Sequence, residues 1–184
     1  MSVISLFSAS HCHGPEVARG VRDALGYDLL SNAKLLEETS QRFQVPAERL
    51  QRDMQGAVSV FNRLTHEKER NLAYIRATLV GLIQPDNLVY HGFAGHLLPR
   101  ELPHVLRVCL VARMEYRTVV AARSEGIPDK AAQKRLSNED EERKRWTLHL
   151  SGLGPWDKGL YDILVPMDST TVDEAVGLIC EQAG

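Results

Sequence analysis

Three groups of residues carry chemistry by their type and spacing. The first is Ser8-Ala9-Ser10-His11-Cys12-His13-Gly14, a small polar stretch directly after the apolar run Val3 to Phe7. Alternate residues of an extended loop face the same way, so His11 and His13 could share a metal ion with Cys12 turned aside. Two ligands from one loop are too few for a closed site. A third would have to come from His91 or His96; the plainer reading is a polar loop at a strand end, and no metal is expected. The second group is His91 and His96 themselves, which flank Gly92-Phe93-Ala94-Gly95 after Leu88-Val89-Tyr90. They could read a phosphate or a base, or serve as half-buried turn residues. The third group is cationic: Arg117, Arg123, Lys134, Arg135 and Arg143. Guanidinium groups grip phosphate oxygens through paired N–H donors and keep their charge at every relevant pH. The alternative is a solvated helix face, ion-paired at i,i+4 spacing with Glu139, Glu141 and Glu142.

The elements that must position these residues follow from periodicity. Val3 to Phe7 predicts a short buried strand and Ser8 to Gly14 a loop. Pro15 suits the first turn of a helix, where its missing N–H would be unpaired anyway. Val17, Val21, Ala24 and Leu25 recur at helical spacing, and Gly26 supplies the stop. Such a helix aims the positive end of its dipole at the loop, a place for an anion. Tyr27 to Leu30 reads as a second strand. Ser31 or Asn32 caps a helix carrying Leu35, Leu36 and Phe43. Pro46 opens another helix towards Met54. From Thr65 to Ile83 a stripe of Leu72, Ile75, Leu79 and Leu82 marks a long amphipathic helix, packed in the core or against a second copy. Strands are predicted at Leu88–Tyr90, Val105–Val111 and Ile163–Val165. Helices are predicted from Met114 to Ser124, stopped by Gly126, and from Asp129 to Leu150. A capping box, Thr171-x-x-Glu174, starts a last helix with Ala175, Leu178 and Ile179 inward. Trp146 and Trp156 pack in the core or the lid, or stack on a base.

Apolar strands without clean alternation, separated by helices, predict an α/β fold with a parallel sheet covered on both faces. Ligands of such sheets sit beyond the carboxyl ends of the strands. The Ser8–Gly14 loop lies at that edge, as do the residues after Tyr90 and Val111.

Composition narrows the function classes. The chain has 184 residues, 43% of them apolar and 25% charged, with a formal net charge of -2. That suits a single domain over 1–184 and gives no overall footprint for nucleic acid or an anionic membrane. Three scattered cysteines, Cys12, Cys109 and Cys180, do not form a disulfide framework, so a reducing, cytoplasmic setting is expected. The N-terminal apolar run is too short for a signal peptide or a membrane span.

Three stretches in collinear order resemble one family. Ile4-Ser5-Leu6, Gly14-Pro15-Glu16-Val17-Ala18 and Leu25-Gly26-Tyr27 are similar to the opening of cytidylate-kinase-like proteins, a branch of the P-loop nucleoside monophosphate kinases. Asn87-Leu88-Val89-Tyr90-His91-Gly92 and Leu106-Arg107-Val108-Cys109-Leu110-Val111 are similar to its third and fourth strands. The most specific stretch is Glu115-x-Arg117, Arg123-x-Glu125-Gly126, Arg135-Leu136, Asp140-x-x-Arg143-x-x-Trp146 and Leu160-Tyr161-Asp162, which matches the lid helices and last strand. The resemblance implies a P-loop kinase-like parallel sheet of five strands, a lid near 126–158, and phosphoryl transfer from ATP with Mg²⁺ to a pyrimidine nucleoside monophosphate. It places Ser10, His11, Cys12, His13, Gly14 and Glu16 at the donor phosphates. It gives catalytic roles to Arg135, Arg143 and Asp140, and substrate contacts to His91, Phe93, Arg117 and Arg123.

The phosphate loop departs from the family. His11 and His13 stand where glycines are usual, and Gly14 where the classical phosphate-loop Lys would be, a difference that much of this branch already shows. Pro15 takes the place of an Arg, and Glu16 that of the Ser or Thr that holds Mg²⁺. Ser31 replaces an acidic residue after the second strand, Phe93 an Arg after the third, and Pro166-Met167 a polar Asn-Thr after the last. Three readings follow: a nucleotide-binding kinase of weak or lost activity, a non-catalytic sensor of a nucleotide or other anion, or an interaction subunit whose old site is filled by Phe93, Met167 and the histidines. The expected partner is a phosphate-bearing small molecule, with a homodimer left open.

Overall fold

The computed structural model describes residues 3–54 and 66–184. Five strands form one sheet: β1 (Val3–Ser8), β2 (Asp28–Ser31), β3 (Leu88–His91), β4 (Val105–Val111) and β5 (Ile163–Pro166). The described helices are α1 (Gly14–Leu25), α2 (Asn32–Phe43), α3 (Ala47–Met54), α4 (Glu67–Leu82), α5 (Met114–Glu125), α6 (Asp129–Ser151) and α7 (Val172–Ala183). Short 3₁₀ turns follow β3 at Ala94–Leu97 and precede β5 at Lys158–Leu160. The predicted start of α4 at Thr65 lies outside the described residues.

The strand order is β2-β3-β1-β4-β5, and every pairing is parallel. β1 is central, paired with β3 from Val3↔Leu88 and with β4 from Val3↔Val105. Its residues are buried on both faces, as the run without alternation requires. One face packs Ile4, Leu6, Val108 and Leu110 against Val17 and Val21 of α1 and Ala175 and Ile179 of α7. The other face packs Val3 and Tyr90 against Leu35, Leu50, Ile75 and Leu79 of α2, α3 and α4, and against Trp146 of α6.

The helix ends use the devices written into the sequence. Gly26 and Gly126 close α1 and α5 at φ 68° and 66°, where a side chain would be strained. The Ser31 hydroxyl accepts from the Lys34 N–H at 3.2 Å. Thr171 and Glu174 form the complete capping box of α7. The inward stripe of α7 differs from the predicted one: Ala175, Ile179 and Ala183 are buried, whereas Leu178 is 48% exposed. The i,i+4 row from Ala175 faces the sheet and Leu178 falls to its flank. Ile179→Ala should therefore lower unfolding free energy by about 2–5 kcal/mol, and Leu178→Ala by roughly 0.5 kcal/mol or less, measured by urea denaturation.

Candidate functional site

The loop after β1 keeps an unusual backbone. His11 and His13 have φ of 59° and 54°, in the left-handed region. That conformation costs an L-residue roughly 1–2 kcal/mol, and glycine is its usual occupant. The extended loop that would have turned both histidines to one side is thus not formed. His11 Nε2 lies 3.2 Å from Glu125 and 3.1 Å from Arg135 Nη2, while His13 Nε2 lies 3.2 Å from the Tyr116 hydroxyl. Among the described residues no three His, Cys, Asp or Glu side chains are grouped to hold a metal ion. The Cys12 side chain is fully buried beneath the loop, and burial pushes its thiol up to about 12. It can reach a ligand only through its backbone.

The N–H groups of Ser10, His11 and His13 find no protein acceptor among the described residues; the first intrahelical bond runs from Val17 N–H to His13 O at 2.9 Å. Gly14 is required by a close approach. A Cβ there would stand 2.5 Å from Ser8 Oγ and 2.6 Å from His91 Nε2, which are themselves 3.1 Å apart.

The lid helix α6 reaches the loop through Arg143. Its side chain is buried; Nε donates to Ser8 O at 3.2 Å and Nη2 to Ser10 Oγ at 2.8 Å. The guanidinium carbon sits 5.2 Å over the Phe93 ring, and Trp146 Nε1 donates to Phe93 O at 3.0 Å. Burial pulls the Arg143 pKa down against Asp140 and Glu139, yet a guanidinium stays charged at neutral pH.

Arg135 is more exposed and is held by acids. Both Glu125 oxygens accept from it, and Glu139 lies 3.2 Å from its Nε. Glu139 also takes the Ser10 hydroxyl and lies 3.9 Å from Arg143. The ion-paired reading of the charged helix is thereby realised at Arg135, whereas Arg143 is buried against the loop. Asp140 is turned to the neighbouring helix. It accepts two bonds from buried Arg117, at 2.9 and 2.5 Å, tying α6 to α5. Arg123 is exposed on α5 and lines neither the space beside the Ser8–Glu16 loop nor the one beside Asn32 and His91.

Two spaces meet at this junction. A cavity of about 620 Å³ lies between the Ser8–Glu16 loop and Glu125, Arg135 and Glu139, with Glu16 on its wall. A second, of about 320 Å³, lies between Ser31, Asn32, His91 and Phe93, and shares Ser8 with the first. Arg143 lines the second space. Tyr90 positions that wall: its hydroxyl donates to Asn32 Oδ1 at 2.8 Å and accepts from the Ala94 N–H at 2.9 Å. Sequence reasoning missed Asn32 and Glu125 as members of the site. It also read Glu139 only as a surface partner, although its spacing of four from both Arg135 and Arg143 was visible.

A five-stranded parallel sheet with a loop-to-helix turn after its central strand and an Arg-bearing lid defines a P-loop kinase-like protein. The chain belongs to the cytidylate kinase-like family, whose model matches residues 3–169. An uncharacterized protein from Eubacterium ventriosum superposes with a TM-score of 0.76 at 16% identity, covering 99% of this chain and 97% of that one. Shikimate kinase from Bacteroides thetaiotaomicron superposes at 0.57 and 12% identity, covering 98% and 97%. Shikimate kinase from Aquifex aeolicus superposes at 0.52 and 15% identity, covering 99% of each chain. At these identities the likeness concerns the fold. No curated protein matches the chain. Among the described residues no helix is long and apolar enough to cross a membrane.

Two consequences are measurable. Asp140→Ala leaves the Arg117 charge buried without its partner, and should cost about 3 kcal/mol of stability in denaturant titrations. The second concerns pH. Burial holds His91 below its usual value and His96 down to about 4. Between pH 6.5 and 4 the unfolded chain therefore binds protons that the folded chain refuses, so stability is full above that window and falls as pH drops through it. The His96 share approaches about 3 kcal/mol at pH 4, and the thermal midpoint of His96→Gln should fall less steeply than wild type over the same range.

Proposed function

We propose that this chain is a nucleotide-binding protein in which the Ser10–Gly14 loop and Arg143 hold the phosphates of ATP. The space between Asn32, His91 and Phe93 takes a pyrimidine nucleoside monophosphate as phosphoryl acceptor. The observation that carries this reading is the left-handed backbone at His11 and His13. The curvature of a phosphate-cradling loop is kept without the glycines that make it easy, and the N–H groups of Ser10, His11 and His13 are left without protein acceptors at a helix N-terminus. Family membership supports the same ligand class.

Each residue then has a role by chemistry. Arg143 already spans Ser8 and Ser10, between donor and acceptor spaces, where a planar guanidinium stabilises charge on a transferring phosphoryl group. His91, kept neutral by burial and in contact with the Ser8 hydroxyl, is an acceptor-side hydrogen-bonding group. Phe93 offers a ring face for a pyrimidine. Asp140 and Arg117 act on the lid rather than on substrate, by holding α6 against α5. Mg²⁺ usually keeps several waters and one or two carboxylates beside phosphate oxygens. The exposed Glu16 carboxylate on the loop cavity fits that need, and the ion would neutralise phosphate charge there.

The charge balance sets the expected rate. The usual Lys position is Gly14, and Arg135 is already neutralised by Glu125 and Glu139. Loss of one electrostatic partner at the reacting centre costs about 3 kcal/mol of barrier, so transfer is slow. That same balance favours a second reading, a nucleotide sensor without turnover. Titration calorimetry with ATP, ADP and CMP, each with and without Mg²⁺, tests binding. ATP affinity should fall at least about tenfold in Arg143→Ala. Equal affinity in a folded Arg143→Ala, or no nucleotide binding by wild type, would sink the proposal. A coupled assay with ATP and CMP separates the readings: turnover well below about 10 s⁻¹ marks a weak kinase, none marks a sensor.

A further inference from the structure

A separate cavity of about 330 Å³ lies on the sheet face that carries α6, under the C-terminal end of that helix. It shares no lining residue with the loop cavity. Phe7, Leu98, Leu150, Leu153 and Leu160 make its apolar wall. Its size and its apolar lining with a few polar groups are those of a small-molecule site.

The polar groups on that wall are what distinguish it from a packing void. Ser5 is 6% exposed, and its hydroxyl makes no hydrogen bond among the described residues. That hydroxyl faces the cavity rather than being sealed in the core. Arg107 is 9% exposed; Nη1 donates to Val105 O at 3.2 Å and Nη2 to Pro99 O at 2.5 Å. No ion pair to its guanidinium is found among the described residues within 4.0 Å. Asp162, the acid that acts most on Arg107, accepts instead from the Arg107 backbone N–H at 2.7 Å. A buried guanidinium supported only by carbonyls is a charge without its counter-ion. Arg100, exposed on the rim, adds a second positive charge, and Glu101 tempers it from outside the wall. His96 adds none at neutral pH, because burial keeps its ring uncharged, with Nε2 3.0 Å from the Tyr161 hydroxyl.

We infer that this cavity is a second binding site, for a small molecule with an apolar body and a single carboxylate head. The carboxylate would pair with Arg107 and Arg100 and offer an acceptor to Ser5. A cavity of about 150 Å³ holds one benzene ring, so the space here suits an aryl or medium-chain acid rather than a nucleotide. The site depends on neither the loop nor its ligand.

The test is a ¹H–¹⁵N NMR titration with 4-phenylbutyrate, and with 4-phenylbutan-1-ol as its uncharged counterpart. The acid should saturate, shift the amides of Gly95, His96 and residues 150–153, and bind at least about tenfold tighter than the alcohol. Arg100→Gln, an exposed change that leaves the fold alone, should remove much of that difference. Leu153→Trp, which fills the cavity, should abolish binding of both. Equal binding of acid and alcohol would make the space a plain apolar void. Shifts confined to the Ser10–Gly14 loop, or no saturation up to about 10 mM acid, would overturn the inference equally, whatever the loop binds.

Discussion

The site depends on one interaction, the buried Arg143 guanidinium hydrogen-bonded to the Ser8 carbonyl and the Ser10 hydroxyl. A charge at that depth has to be paired or hydrogen-bonded to be tolerated. The rest of the junction supplies this: Phe93 below it, Glu139 at its edge, and Trp146 one turn on, which holds Phe93 by its carbonyl. The lid and the loop are therefore one unit. Because Ser8 ends the central strand, the register of the parallel sheet sets where Arg143 can dock.

The loop itself carries no Lys or Arg between Ser8 and Glu16. A phosphate-binding turn normally brings its own Lys, and here the positive groups come from α6 alone. Those groups are set among Glu125, Glu139 and Glu16, which line the same space. Glu139 sits four residues from each arginine and so faces both on the helix surface. On the proposed reading a phosphate would have to compete with these carboxylates for Arg135, whereas Arg143 is already hydrogen-bonded to the loop. This difference between two arginines on one helix separates a residue that shapes the site from one whose charge is already spoken for.

α6 also fastens together several parts of the molecule. Asp140 fastens it to α5 through Arg117, Arg143 fastens it to the loop, and its last residues cover the cavity above Ser5 and Arg107. Contacts on several faces of one 23-residue helix explain a hydrophobic pattern too mixed to mark a single inward stripe. They also explain why its charges resist a simple division into surface and site.

The elements were legible in the residues themselves: the non-alternating strands, Pro15 at a helix start, Gly26 and Gly126 at helix ends, and the Thr171–Glu174 box act through local geometry. The parallel sheet followed from them, and the family from the collinear motifs. The face of α7 was only half legible, since Ala175, Leu178 and Ile179 all suit an inward stripe and packing against the sheet chose the first and last. The partners of the charged side chains were not legible. Nothing in the order of residues distinguishes Arg143, which reaches Ser8 across 135 positions, from Arg135, which is held by Glu125 ten positions away. Nor does it reveal that His11 and His13 adopt a glycine-like backbone, or that Asp140 pairs with Arg117. Local sequence determines backbone preference and burial pattern because both act over a few residues. Which charges meet is decided by the distance between distant segments once the sheet and lid have closed, and only the tertiary structure carries that distance.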